Sequence, residues 1–179
     1  MLFRSLVACL ALAFLGCATA PIPTYQVSGD YTSLRGLDKK VKVVAQAPAF
    51  KDEGSIVCRG AAIVELPYKQ TFTAYMSAAL TKELTAADIA SEAADLILSM
   101  KLEKVDFSTS LGATNWFIDG RYEIDGQTIQ VSTVYNDRSS YFGSKACDNI
   151  AAYFQKAVST HFRQLFSEPM LRQKLKSSK

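Results

Sequence analysis

Asp125-Gly126 sits between two stretches in which apolar and polar residues alternate, and this dipeptide constrains the fold more than any other feature of the chain. Asp-Gly suits the two left-handed central positions of a type I′ turn, which reverses a strand within two residues and sets the register of both arms. Counting outward, Ile124 pairs with Gln127, Tyr122 with Ile129, Gly120 with Val131, Ile118 with Thr133 and Trp116 with Tyr135. The large members of these pairs all fall on one side, and the other side carries Asp119, Arg121, Glu123, Thr128, Gln130 and Ser132. Turn chemistry and alternation agree, so a hairpin with one buried and one wetted face is predicted. Phe117 and Val134 are apolar exceptions that stand opposite each other on the wetted side, a candidate contact patch.

The rest of the pattern supplies partners for that hairpin. Leu96, Leu98, Met100 and Leu102 alternate as a strand, while Val105 and Phe107 are out of phase, which predicts a bulge near Glu103 and Lys104. Residues 41–45 and 56–66 are rich in β-branched side chains and predict two further strands, the second bulged at Gly60. Beyond Pro67, the positions Phe72, Tyr75, Met76, Ala79, Leu80, Leu84 and Ala87 form one apolar stripe at helical spacing, with Thr71 as N-cap. A second stripe follows Ser144 through Ile150, Phe154, Ala157, Val158, His161, Phe162 and Leu165, and Glu168-Pro169 ends it. The expected fold is α+β, with a mostly antiparallel sheet of four to five strands and two helices packed on one face.

Ahead of this body lies an address. Arg4 precedes a mostly apolar run over residues 5–16, the form of a bacterial secretory signal and too short to span a membrane as a helix. Two processing sites compete. Ala18-Thr19-Ala20 has the small-x-small pattern of ordinary signal peptidase but would leave Pro21 after the cut, whereas Leu15-Gly16-Cys17 resembles a lipobox whose cysteine is acylated. Phe14 departs from the usual leucine of that motif. The lipobox reading is preferred, and Ala18 after the cysteine favours the outer membrane, periplasm-facing, over inner-membrane retention. The organisation that follows is a signal at 1–16, a flexible lipid-anchored tether at 17–38, one domain at 39–169 and a solvated basic tail at 170–179.

The four cysteines therefore separate, with Cys9 in the signal and Cys17 at the anchor. Cys58 and Cys147 remain, and in an oxidising compartment such a pair usually bridges; the alternative is two buried thiols. A bridge closing that long a loop is worth about 4 kcal/mol in the chain-entropy model. Catalytic signals are weak. The single histidine, His161, lies within an apolar helical stripe, no Gly-x-Ser-x-Gly elbow accompanies it, and one histidine rules out a metal site that needs two. With 20 basic against 17 acidic residues, the net charge of +3 lacks the footprint of a nucleic-acid binder.

Several short stretches carry a resemblance: Leu66-Pro-Tyr-Lys-Gln-Thr-Phe72, the helix ending Ala79-Leu-Thr-Lys-Glu-Leu84, Val105-Asp-Phe-Ser-Thr109, the Trp116 strand, and Ala146-Cys147. On these the chain resembles small proteobacterial envelope lipoproteins and is loosely similar to the YajG type. The resemblance implies a compact α/β domain on a lipid tether with its two cysteines bridged, and it brings no active site and no cofactor. The expected function is a non-enzymatic binding or assembly module, held to the membrane by lipid at Cys17 and working with an envelope protein. The alternative is a carrier of a small apolar ligand or lipid in a pocket between helices and sheet.

Overall fold

The computed structural model describes residues 18–60, 62–110 and 112–176. The signal at 1–16 and Cys17 lie outside the described residues, as do 61, 111 and 177–179.

The elements run β1 (Ala18–Pro21), β2 (Lys42–Ala45), β3 (Ser55–Cys58), β4 (Ala62–Glu65), α1 (Phe72–Ala86), β5 (Ile97–Ser110), β6 (Ala113–Ile124), β7 (Gln127–Arg138), α2 (Gly143–Ser167) and α3 (Pro169–Lys174). Strands β2-β5-β6-β7 make one sheet and β1-β4-β3 a smaller one. The fold is α+β and mostly antiparallel as expected, with the strands divided between two sheets rather than held in one. The two parallel pairs are β1 with β4 and β2 with β5.

The predicted hairpin is present with the predicted register, including Trp116 opposite Tyr135 and Ile124 opposite Gln127. Asp125 and Gly126 both take positive φ, 48° and 71°, as a type I′ turn requires. The register of β5 against β6 shifts between Leu102 and Lys104, which puts the bulge at Glu103. The buried face of this sheet meets both long helices. Trp116 is buried, its indole N–H donates to the Ile150 carbonyl at 2.9 Å, and its ring lies 4.5 Å from that of Phe154. Phe72 of α1 closes the group at 5.5 Å from Phe154.

Helix α1 starts where predicted. Thr71 Oγ1 accepts from Ala74 N, and the Asp52 carboxylate accepts from Phe72 N and Thr73 N at 2.7 and 2.8 Å. Three of the otherwise orphaned first amides are thereby satisfied. Helix α2 starts at Gly143 with Phe142 as its N-cap, two residues before the expected cap Ser144, which lies inside the first turn.

Three expectations are corrected. Residues 56–66 do not form one bulged strand, because Arg59 and Gly60 both take positive φ, 51° and 64°. Two successive left-handed residues reverse the chain instead of kinking it, so β3 and β4 pair as a hairpin. The segment 17–38 is no loose tether in its described part: β1 pairs along β4, and Ala20, Ile22, Tyr25 and Leu34 are buried. Pro21, which with Pro23 suggested a linker, is accommodated because β1 is an edge strand, and Pro23 lies beyond its end. Residues 170–176 are not a solvated tail either. Pro169 opens α3, Leu171 and Leu175 are buried, and Lys174 Nζ bonds Asp125 Oδ2 at 2.6 Å.

Candidate functional site

Two opposite ends of the small sheet carry the exposed features of interest. At one end the chain enters β1. Ala18 stands opposite Ala62, just past the Arg59-Gly60 turn, and Cys58 before that turn is disulfide-bonded to Cys147 in the first turn of α2, with Cα atoms 5.9 Å apart. Arg59 Nε donates to Thr109 Oγ1 at 2.8 Å, which ties this turn to the end of the β5–β6 hairpin. Ser139 N donates to the Gly112 carbonyl, so the loop from β7 to α2 joins the same cluster. In that loop Tyr141 and Phe142 are 75% and 78% exposed.

At the other end, β4 runs into Leu66-Pro67-Tyr68-Lys69-Gln70. Leu66 is buried, and Tyr68 and Lys69 both adopt left-handed backbone, with φ of 59° and 53°. That conformation costs a non-glycine residue about 1–2 kcal/mol. The end of the turn packs closely on the segment before β3: a Cβ on Gly54 would stand 1.9 Å from the Gln70 carbonyl oxygen, so only glycine lets the two segments meet. The outcome is Tyr68 held 90% exposed. Beside it lies a hollow of about 130 Å³ lined by Thr24, Tyr25, Gln70, Tyr75, Ala78 and Lys82.

Beneath this hollow a buried carboxylate fixes the entering chain. Glu83 Oε1 accepts from the Tyr25 hydroxyl at 2.6 Å, Ser28 N at 2.7 Å and Ser28 Oγ at 2.8 Å. Burial, together with the bond to Glu83, pushes the Tyr25 phenol up, so it stays protonated and donates. Tyr75 donates to the Pro23 carbonyl from the same helix. Sequence reasoning missed Glu83, although its position three after Leu80 and four after Ala79 puts it on the α1 stripe.

His161 lies in the core instead of a cleft. Its Nε2 and Nδ1 are each 2.8 Å from a hydroxyl, that of Tyr122 and that of Thr133. Thr133 gives its only hydroxyl proton to Gln164 Oε1, so Nδ1 must donate to Thr133 and Nε2 must accept from Tyr122. The neutral imidazole thus has both nitrogens satisfied, and burial lowers its pKa from 6.5 to about 3. Gly120 leaves the space, since a Cβ there would lie 3.0 Å from Nε2. Neither a serine nor a carboxylate bonds this ring, and the arrangement packs a histidine.

Phe117 and Val134 do stand opposite each other across β6 and β7. Val134 is 64% exposed, whereas Phe117 is half-buried with Lys104 Nζ 5.0 Å over its ring. Among the described residues no group of three or more His, Cys, Asp or Glu is placed to hold a metal ion, and no helix is long and apolar enough to cross a membrane.

No family model matches the chain, and no curated protein matches it. Among solved structures it is similar to protein XCC0632 from Xanthomonas campestris, described under the family model DUF330. The TM-score is 0.58 at 11% identity, over 87% of this chain and 96% of that one. It is also similar to the hypothetical protein CT253 from Chlamydia trachomatis, with a TM-score of 0.42 at 9% identity, over 77% and 98% of the two chains. A third crystal structure, of a protein described as uncharacterized, gives 0.44 at 8% identity, over 82% and 99%. The likeness to the Xanthomonas protein is one of fold alone. The likeness to YajG-type lipoproteins therefore stays with the sequence motifs.

Proposed function

We propose that the chain is a bacterial envelope lipoprotein, anchored by acyl chains at Cys17 in the outer membrane, whose periplasm-facing domain binds or assembles with another envelope protein without catalysis. The observation that carries the binding role is the Tyr68-Lys69 turn, where two adjacent non-glycine residues in left-handed backbone present a tyrosine to solvent. Strain of this kind persists where the surrounding structure imposes it, and it concentrates at recognition sites. Tyrosine suits the role, because a rigid amphipathic ring provides contact area at low entropy cost. The compartment is supported by the lipobox-like Leu15-Gly16-Cys17 and by the Cys58–Cys147 bond, which persists in oxidising surroundings. The carrier reading gains no support, because Trp116, Phe72, Tyr75 and Phe154 fill the space between the helices and the large sheet.

A photo-crosslinking residue at position 68 of the native lipoprotein tests this in living cells. One discrete protein adduct is expected at 68 and none at 134, and absence of any adduct at 68 across growth phases contradicts the reading. Tyr68→Gly separates contact from folding. It relieves about 1–2 kcal/mol of backbone strain against about 0.5–1 kcal/mol of added unfolded-chain freedom. Stability is therefore expected to hold or rise slightly while the adduct partner no longer co-purifies.

A further inference from the structure

We infer that the end of the molecule bearing Tyr141 and Phe142 rests on the bilayer, with anionic phospholipid head groups as its occupant. This rests on the acylation of Cys17 proposed above and adds an orientation to it. Consecutive Cα atoms are about 3.8 Å apart, so an acylated Cys17 holds Ala18 at the lipid surface. Ala18 already belongs to β1, in register with Ala62, and β1 leads into the buried Ala20 and Ile22. There is no slack between the anchor and the body, and whatever surrounds Ala18 meets the head groups.

What surrounds it is suited to that contact. Arg59, three residues before Ala62, bonds the β5–β6 hairpin end, and a Cβ on Gly143 would lie 4.0 Å from the Arg59 side chain. That places Phe142, the residue before Gly143, beside the same arginine. Tyr141 reaches Gly112 in the same turn cluster, its hydroxyl 4.0 Å from where a Cβ would stand. Two consecutive aromatics thus project at the end where the chain enters, and aromatic rings partition to the head-group level of membranes. Arg59, Arg138 and Lys145 are exposed on the adjoining segments. Of the nearby acids, Asp137 accepts from the Tyr135 hydroxyl and the Arg138 amide and keeps its charge, and Asp148 is exposed. The three basic side chains therefore outnumber the two carboxylates, Asp137 and Asp148, beside the aromatic pair, which favours an anionic surface.

The test uses the full lipoprotein purified from membranes and reconstituted into vesicles of phosphatidylethanolamine with phosphatidylglycerol. Phe142→Cys carries a nitroxide, and Tyr68→Cys at the opposite end of the small sheet is the reference. Collision rates with oxygen and with a water-soluble nickel chelate report depth, and intact mass on the same sample reports acylation. The expected result is a severalfold higher oxygen-to-nickel ratio at 142 than at 68. That ratio is expected to fall in Arg138→Glu/Lys145→Glu protein or when phosphatidylglycerol is omitted. Equal ratios at 142 and 68 on protein whose Cys17 is acylated overturn the docking while leaving the anchor standing. A label at 142 shielded from both reagents overturns it in favour of a protein contact. An unacylated Cys17 overturns the docking together with the reading beneath it.

Discussion

Removing the Cys58–Cys147 bond, by reductant or by the double substitution Cys58→Ala/Cys147→Ala, is expected to lower the unfolding midpoint by about 10 °C. The two residues are 89 apart in sequence, and the bond joins the end of β3 to the first turn of α2. Cross-linking residues that far apart removes loop-closure entropy from the unfolded chain worth about 4 kcal/mol. At about 2–4 °C per kcal/mol for a chain of this size, the shift follows. Stability of a domain is typically about 5–15 kcal/mol, so the loss consumes a large share of it. The small sheet has only four residues per strand and contacts the body mainly through α2, so it should loosen first. Thermal unfolding with and without reductant measures the shift, and hydrogen exchange in β3 and β4 locates it. An unchanged midpoint contradicts the account.

Acid is expected to destabilise the fold through His161. The unfolded residue titrates near 6.5, and burial lowers the folded value to about 3. Between those values the unfolded chain holds a proton that the folded chain lacks, so stability is fully present above 6.5 and falls as pH drops toward 3. At about pH 4.5, two units below the unfolded value, the loss attributable to this one group is about 2.7 kcal/mol. Urea unfolding at neutral pH and at that acid pH gives the difference, and His161→Gln should remove this component. His161 is the chain's one histidine, so its imidazole NMR resonances report it directly in the unsubstituted protein. They should not titrate above about pH 4. A midpoint near 6.5 contradicts the buried, doubly bonded imidazole.

The parts of the fold that were legible in the sequence are those where two independent local signals agree. Asp125-Gly126 and the alternation on both sides each imply the same register, and every predicted pair of the β6–β7 hairpin is observed. The bulge at Glu103 and the start of α1 after Thr71 were legible for the same reason. Where a residue other than glycine, asparagine or aspartate takes left-handed backbone, composition carries no mark of it. Arg59 turns β3 into β4, and Tyr68 and Lys69 shape the exposed turn, yet arginine, tyrosine and lysine all read as ordinary strand or loop residues. The entering segment was misread because Pro21 and Pro23 hide a strand that is held by its neighbours: β4 through the backbone and Glu83 through Tyr25 and Ser28. At the other terminus, Leu171 and Leu175 are too few to show periodicity, although both are buried.

The proposed function and the proposed bilayer contact both depend on acylation of Cys17, so the mature N-terminus is the decisive observable. The chain should be expressed with residues 1–17 intact in a Gram-negative host, isolated from the envelope and analysed by intact and N-terminal peptide mass spectrometry. The proposal predicts a mature chain that begins at Cys17 and carries a diacylglyceryl group on its sulfur. A chain that begins at Pro21, retains Met1, or starts at an unmodified Cys17 contradicts it.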